Sequence, residues 1–111
     1  AFLYEKLLQT EKAEPIYIAL TQEFPELPEP YNNLGVLQAA SGDFAQARAS
    51  FEQALRANPK YALAQENLGD VLLQLARQAY QHTLELNPSQ QSAKRKIELL
   101  QPAATLSEKR P

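Results

Sequence analysis

Apolar residues recur every three or four positions through most of the chain, the spacing that places them along one side of an α-helix. Between Tyr31 and Ala40, this apolar side is formed by Tyr31, Leu34 and Leu37, with Gly35 beside them. A second stretch has an apolar side of its own, made of Phe44, Ala47, Phe51, Ala54 and Leu55. The pattern therefore predicts two amphipathic helices in succession.

Polar residues and glycine mark the ends of these two helices. Ser41-Gly42-Asp43 separates them, and Gly42 can adopt the left-handed conformation that ends a helix. Asp43, with Gln46 three residues later, has the capping-box spacing that begins the next helix. Asn58-Pro59 ends that helix, because the residue before a proline avoids helical geometry. The unit is a helix, a short turn and a second helix.

This unit repeats along the chain, in a register that aligns Asn33-Leu34-Gly35 with Asn67-Leu68-Gly69. In the same register small residues, aromatic residues and prolines coincide, as Ala13 with Ala47, Tyr17 with Phe51 and Pro25 with Pro59. A glycine inside a helix costs roughly 1 kcal/mol relative to alanine. We therefore expect Gly35 and Gly69 each to permit the close approach of a partner helix.

The order and spacing of these residues resemble the tetratricopeptide-repeat family. The resemblance rests on Tyr31-Asn32-Asn33-Leu34-Gly35, Gly42-Asp43-Phe44, Ala47, Phe51, Ala54-Leu55 and Pro59. It covers residues 28–61 most fully, and Gln38 stands where the family usually has an aromatic residue. The resemblance implies an all-α fold, a right-handed superhelical array of antiparallel helix pairs.

We divide the chain into one domain and a tail on this basis. The domain, residues 1–101, comprises a partial repeat 1–27, a repeat 28–61, a shortened repeat 62–88 and a capping helix 89–101. Residues 1–27 keep the repeat register through Tyr4 and Ala13 but lack the turn glycine expected between two helices. The capping helix places Ala93, Ile97 and Leu100 toward the preceding repeat. Residues 102–111 are predicted to be a flexible tail.

The third repeat is five residues too short. Asn87-Pro88 corresponds to Asn58-Pro59 but comes five residues earlier than the repeat length requires. The five missing residues belong to the turn between the two helices. We consider a single continuous helix from about Tyr61 to Leu86, a helix pair with a very tight turn, and a sequence from which five residues are absent. The continuous helix is favoured because apolar residues continue at spacings of three and four.

A continuous helix cannot cover its own apolar side and would leave several side chains in need of another surface. These side chains are Leu75, Ala79, Tyr80 and Leu84. An uncovered apolar patch usually marks a partner site, and a second copy of the chain can fill it by exchanging equivalent helices. A homodimer, in its simplest form helix-swapped, is therefore one hypothesis for self-assembly.

The resemblance also implies that ligands lie in a groove formed by the first helices of successive repeats. At about 100° per residue, the positions opposite the packed side are the candidates for this groove. They are Asn32, Asn33, Val36, Ala40, Glu66, Asn67, Asp70 and Gln74. Many family members use asparagine at the positions of Asn33 and Asn67 to bind the main chain of the ligand; the alternative is that asparagine is merely common there.

Charge in the predicted groove narrows the class of ligand. A subgroup of the family binds the carboxylate ends of chaperones through basic residues, but Leu63 and Asn67 stand at those positions in the third repeat. Glu29, Glu66 and Asp70 make the groove mildly acidic, which favours a basic or neutral peptide.

The composition argues against several other classes of function. The net charge of −2 argues against a nucleic-acid interface, and the absence of cysteine excludes disulfides and cysteine–zinc sites. We interpret His82, which lies among Gln78, Gln81 and Glu85, as an exposed surface histidine, and Lys94-Arg95-Lys96 as a solvated face. We predict no catalytic residue, no metal and no cofactor, and a non-catalytic scaffold that binds a protein or peptide.

The sequence leaves the cellular compartment open. No apolar run in the sequence is long enough to span a bilayer, and from the sequence we expect no signal peptide. Because the chain begins at Ala1 without a methionine, an export signal removed earlier would be compatible with a periplasmic as well as a cytoplasmic protein.

Overall fold

The computed structural model describes the backbone of residues 2–100 and the side chains of residues 12–100. This part of the chain contains no strand and five helices: α1 (Phe2–Glu23), α2 (Pro28–Ala40), α3 (Phe44–Ala57), α4 (Ala62–Leu86) and α5 (Gln91–Leu99). The predicted all-α class is confirmed. The helices form two compact units, the first ending at Leu72 and the second beginning at Leu73, so that the boundary lies inside α4.

The turn between α2 and α3 has the conformation predicted from its residues. Gly42 has a φ of 81°, the left-handed conformation that L side chains rarely adopt. The Gly42 N–H donates to the Ala39 carbonyl at 3.0 Å and the Asp43 N–H to the Gln38 carbonyl at 2.9 Å, the two bonds of a Schellman motif. Asp43 Oδ1 then accepts from the Gln46 N–H at 3.4 Å and caps α3.

The core of the first unit is built around Phe51, whose side chain is 1% exposed. Its ring lies against Gly35, where an added Cβ would be 2.5 Å from Phe51 Cε1. The predicted reason for a glycine at this position is therefore confirmed. The other buried apolar residues of the unit are Leu34, Ala47, Ala54, Ala64, Leu68 and Val71.

A polar pair lies beside this apolar core. Gln38, which stands where an aromatic residue was expected, is buried, and its Oε1 accepts a 2.6 Å hydrogen bond from the buried Ser50 hydroxyl. Gln38 Nε2 donates to Gln46 Oε1 at 3.3 Å. The polar side chain is tolerated in the core because both ends of its amide have partners. The sequence showed that Gln38 departs from the aromatic residue usual at this position. It did not indicate that Ser50 on α3 would be its hydrogen-bond partner.

Helix α4 runs without interruption for 25 residues. The continuous helix, and not a tight hairpin, is therefore the form of the third repeat. The expectation for Gly69 was wrong within one chain, because a Cβ added there would meet no atom within 4 Å among the residues that the structure describes. Without a turn, the second half of α4 cannot fold back onto the first.

The first repeat also differs from a helix pair. Residues Phe2–Glu23 form one helix, α1, which includes Pro15. No glycine turn interrupts it, in line with the absence of a turn glycine from this part of the sequence. Helix α1 packs against α2, and the Tyr31 hydroxyl lies 3.4 Å from the Thr21 carbonyl, to which it donates.

Helix α5 belongs to the second unit, together with the second half of α4. Ala93 is buried and Ile97 and Leu100 are half-buried, as their spacing predicted. Lys96 Nζ lies 5.6 Å from the centroid of the Tyr80 ring. The tail predicted for residues 102–111 lies outside the described residues, and the division of the chain into repeats stays a prediction.

Candidate functional site

Helix α2 and the first half of α4 both belong to the first unit. A hydrogen bond joins them directly, since Asn67 Nδ2 donates to Asn32 Oδ1 at 3.1 Å. Asn67 corresponds in the repeat to Asn33, the residue next to Asn32. The hydrogen bond therefore links the equivalent first helices of two successive repeats.

Most of the predicted groove residues are accessible. Those that are exposed are Asn33, Val36, Ala40, Glu66 and Asp70. Asn67 is half-buried, and one of its two amide hydrogens is used in the bond to Asn32. Gln74 is half-buried in the second unit.

Asn32 does not have the exposure expected of a groove residue. Its side chain is 2% exposed, and its amide oxygen accepts from Asn67. The helical period alone placed Asn32 opposite the side that packs on α3. However, α2 has a second neighbour in α4, and this neighbour covers Asn32. The residue is therefore placed to hold Asn67 and not to meet a ligand directly.

The exposed surface of these two helices is acidic with apolar positions between the charges. Glu29, Glu66 and Asp70 are all exposed. Val36 is 46% and Leu63 52% exposed. Neither α2 nor the stretch 62–76 contains a lysine, arginine or histidine. The electrostatic potential of this surface therefore attracts cations and repels carboxylates.

The residues predicted to mediate self-association have mixed exposure. Ala79 is exposed, whereas Leu75, Tyr80 and Leu84 are half-buried. Tyr80 borders a shallow depression with Lys96, Leu99 and Leu100, all of the second unit. Leu72 and Leu73 at the middle of α4 are 40% and 50% exposed.

Among residues 12–100, the remaining chemistry-bearing side chains do not assemble into a site. His82 is exposed, and its Nδ1 lies 3.2 Å from Glu85 Oε2 one helical turn away. In the part of the chain that the structure describes, no three histidine or acidic side chains are grouped so as to hold a metal ion. Among the described helices, none is both long and apolar enough to cross a membrane.

Comparison with known proteins agrees with the repeat and the fold. A family model described as tetratricopeptide repeat matches residues 32–90, more than half of the chain. The chain belongs to the tetratricopeptide-repeat family. No curated protein matches the sequence.

Among solved structures, the chain is similar to the first tetratricopeptide-repeat domain of Spaghetti (RPAP3) bound to the HSP90 peptide SRMEEVD. The identity is 22%, the TM-score is 0.58, and the match covers 92% of this chain and 87% of that chain. This likeness supports the fold.

Proposed function

We propose that the chain is a protein-interaction scaffold whose first unit binds a peptide or helix of a partner along α2 and the first half of α4. The observation that carries the proposal is the hydrogen bond from Asn67 to Asn32, which holds these two helices together. Beside this bond, the exposed side chains of Asn33 and Val36 on α2 and of Glu66 and Asp70 on α4 are free to meet a ligand.

The asparagines are suited to the main chain of the ligand. An asparagine amide both donates and accepts hydrogen bonds, as a peptide group does. Asn33 is exposed, and Asn67 retains its oxygen and its second amide hydrogen after bonding Asn32. The buried Asn32 fixes the orientation of Asn67, so less rotamer entropy is lost when a ligand binds. Val36 and Ala40 would contact apolar parts of the ligand, and Gln74 is proposed as a further contact.

The acidic side chains determine the class of peptide. Glu29, Glu66 and Asp70 would pair with lysine or arginine of the ligand. The neighbouring structure holds an HSP90 peptide that ends in two glutamates, a valine and an aspartate. In this chain Leu63 and Asn67 supply no positive charge for such a peptide. We therefore propose a basic or neutral peptide as the ligand.

Three labelled peptide pools test this proposal by fluorescence anisotropy: one rich in lysine and arginine, one neutral, and one of acidic peptides that includes SRMEEVD. Affinity is expected to fall in that order, and to fall for the basic pool as salt is added. Equal binding of the acidic and basic pools would contradict the assignment of charge.

Variants then locate the binding surface. Asp70→Lys and Asn67→Ala should each weaken binding of the best basic peptide by about tenfold. Glu98→Lys is the control, because it makes the same change of charge at an exposed position in the second unit. If both Asp70→Lys and Asn67→Ala bind the basic peptide with wild-type affinity, the peptide binds at a different surface.

A second candidate function is self-assembly through α4. It is favoured by the uninterrupted course of α4 and by the exposure of Leu72 and Leu73 at its middle. Leu75, Ala79, Tyr80 and Leu84 are the residues proposed for this contact. Light scattering on a size-exclusion column, over a range of concentrations, distinguishes a homodimer from a monomer.

A further inference from the structure

The second half of α4 corresponds to α3 in the repeat register set by Asn58-Pro59 and Asn87-Pro88. In the register that aligns Phe51 with Tyr80, Ala47-Arg48 corresponds to Ala76-Arg77 and Leu55 to Leu84. The first half of α4 corresponds to α2 in the register that aligns Gly35 with Gly69. The only part of the repeat without a counterpart is residues 41–45, which contain the turn between α2 and α3. Helix α4 therefore consists of the two helices of a repeat joined without their turn.

The contacts between α2 and α3 provide a template for the contacts that these two halves would make. Phe51 packs on Gly35, and the corresponding residues in α4 are Tyr80 and Gly69. Both halves of this contact are thus retained, an aromatic ring and a glycine.

A second contact has changed on both sides together. Ser50 donates to Gln38 in the first unit, and the corresponding residues in α4 are Ala79 and Leu72. A buried polar pair has become an apolar pair. Replacement of one member alone would leave a polar group without a partner or an apolar group against a polar one. The simultaneous change from Gln38 and Ser50 to Leu72 and Ala79 is the change expected if the surfaces that carry these residues pack against each other.

Neither contact is made within one chain. Among the described residues no atom lies within 4 Å of a Cβ added to Gly69, Leu72 is 40% exposed, and Ala79 is exposed. Gly69 and Tyr80 both belong to α4, and side chains of one helix meet only at separations of three or four residues. Only another molecule can bring an equivalent of Tyr80 to Gly69.

We propose that two copies of the chain exchange the second halves of α4, so that the two α4 helices pack antiparallel. Tyr80 of each copy lies on Gly69 of the other, and Ala79 of each lies on Leu72 of the other. The midpoint in sequence of Gly69 and Tyr80, and that of Leu72 and Ala79, each lie half a residue from Leu75. One two-fold axis passing beside Leu75 therefore relates the two copies of each pair and generates all four contacts. An interface of this symmetry is closed, and the assembly stops at a dimer.

The inference rests on the proposed self-assembly and adds to it a partner surface and a register. It also gives a reason for the boundary between the two units, which lies between Leu72 and Leu73, two residues before the point where the turn is missing. In the dimer, the second unit of each copy completes the third repeat that the first unit of the other copy begins.

Restoring the turn tests the exchange. Ser-Gly-Asp-Phe-Ala, the sequence of residues 41–45, is inserted between Gln74 and Leu75 of the full chain. Light scattering should give twice the chain mass for the wild type and one chain mass for the insertion variant, with circular dichroism confirming that both are helical. A wild type that is monomeric at every concentration would overturn self-assembly itself. A dimer that persists in the insertion variant would leave self-assembly standing but overturn the exchange.

A point substitution tests the register without altering the course of α4. Gly69→Leu places a side chain in open space within one chain, but against Tyr80 of the other copy in the dimer. Overpacking at both symmetric contacts should raise the dissociation constant of the dimer by about a hundredfold. Gln78→Leu is the control, because Gln78 is exposed and lies on the opposite side of α4 from Tyr80. Undiminished dimerisation of Gly69→Leu would exclude this register.

Cross-linking determines the direction of the two helices. The chain has no cysteine, so Leu72→Cys and Ala79→Cys each introduce a unique thiol. An equal mixture of the two variants, treated with a short thiol-to-thiol reagent, should give a covalent dimer of one variant with the other. In an antiparallel pair, each variant alone should cross-link far less. Efficient cross-linking of each variant with itself would indicate a parallel pair and contradict the proposal.

Discussion

The ring of Phe51 occupies the space that a side chain on Gly35 would need. Alanine favours helix over glycine by roughly 1 kcal/mol, but its Cβ would lie 2.5 Å from a ring that is 1% exposed and has no room to move. We therefore expect Gly35→Ala to lower the free energy of unfolding by about 2 kcal/mol, as measured by urea denaturation.

A double-mutant cycle separates this clash from other effects. Phe51→Leu removes the ring atoms nearest Gly35, so the Gly35→Ala substitution should be less harmful in that background. The two substitutions should couple by at least about 1 kcal/mol. Additive effects would mean that the loss in Gly35→Ala has a different origin.

The Gln38–Ser50 pair gives the second prediction at this scale. Ser50→Ala removes the donor of the 2.6 Å hydrogen bond and leaves a buried oxygen of Gln38 without its partner. The free energy of unfolding should fall by about 1–2 kcal/mol. Adding Gln38→Leu creates the leucine–alanine pair that is proposed for Leu72 and Ala79 in the dimer, and should recover most of the loss. If the double variant is less stable than Ser50→Ala, the apolar pair does not substitute for the polar one.

At the scale of the elements, the turn between α2 and α3 decides whether a repeat folds back on itself. Gly42 has a φ of 81°, which costs an L residue other than glycine roughly 1–2 kcal/mol. Gly42→Ala should therefore destabilise the first unit by about that amount in thermal or urea denaturation. Gly42→Asn is the matched comparison and should cost less, because asparagine tolerates the left-handed region. An equal loss in both variants would argue against backbone strain.

The elements also indicate what could be predicted from the sequence. The bounds of α2 and α3 followed from Gly42, Asp43 and Pro59, since the residues that end and begin a helix act locally. The continuous α4 followed from the absence of those residues. The conformation of residues 2–23 was harder to predict from the sequence. Pro15 favours a break in the helix, whereas the absence of a turn glycine favours one continuous helix.

The candidate site could be predicted only in part, for a different reason. The helical period correctly placed Asn33 and Asp70 on exposed surface but not Asn32. A period defines one packed side for each helix, whereas α2 contacts both α3 and α4. Likewise, the sequence predicted a close neighbour for Gly35 and for Gly69, but a spacing cannot tell whether that neighbour belongs to the same molecule.

At the scale of the whole molecule, the two units should respond separately to a local defect. Ala93 is 4% exposed and is the buried residue of α5. Burial of a carboxylate at this position would carry a desolvation cost of about 3 kcal/mol or more. We expect Ala93→Asp to detach α5, with a loss of helical ellipticity equivalent to its 9 residues.

The amide spectrum of the same variant shows how far the defect extends. Chemical shifts in nitrogen–proton correlation spectra should change in α5 and around Tyr80, whose ring lies beside Lys96. Those of α2 and α3 should stay unchanged, because the Gly35–Phe51 contact and the turn at Gly42 belong to the first unit alone. Gln91→Asp introduces the same charge at an exposed position of α5 and should leave both units intact. Shifts in α2 and α3 as large as those in α5 would contradict the separate response of the two units.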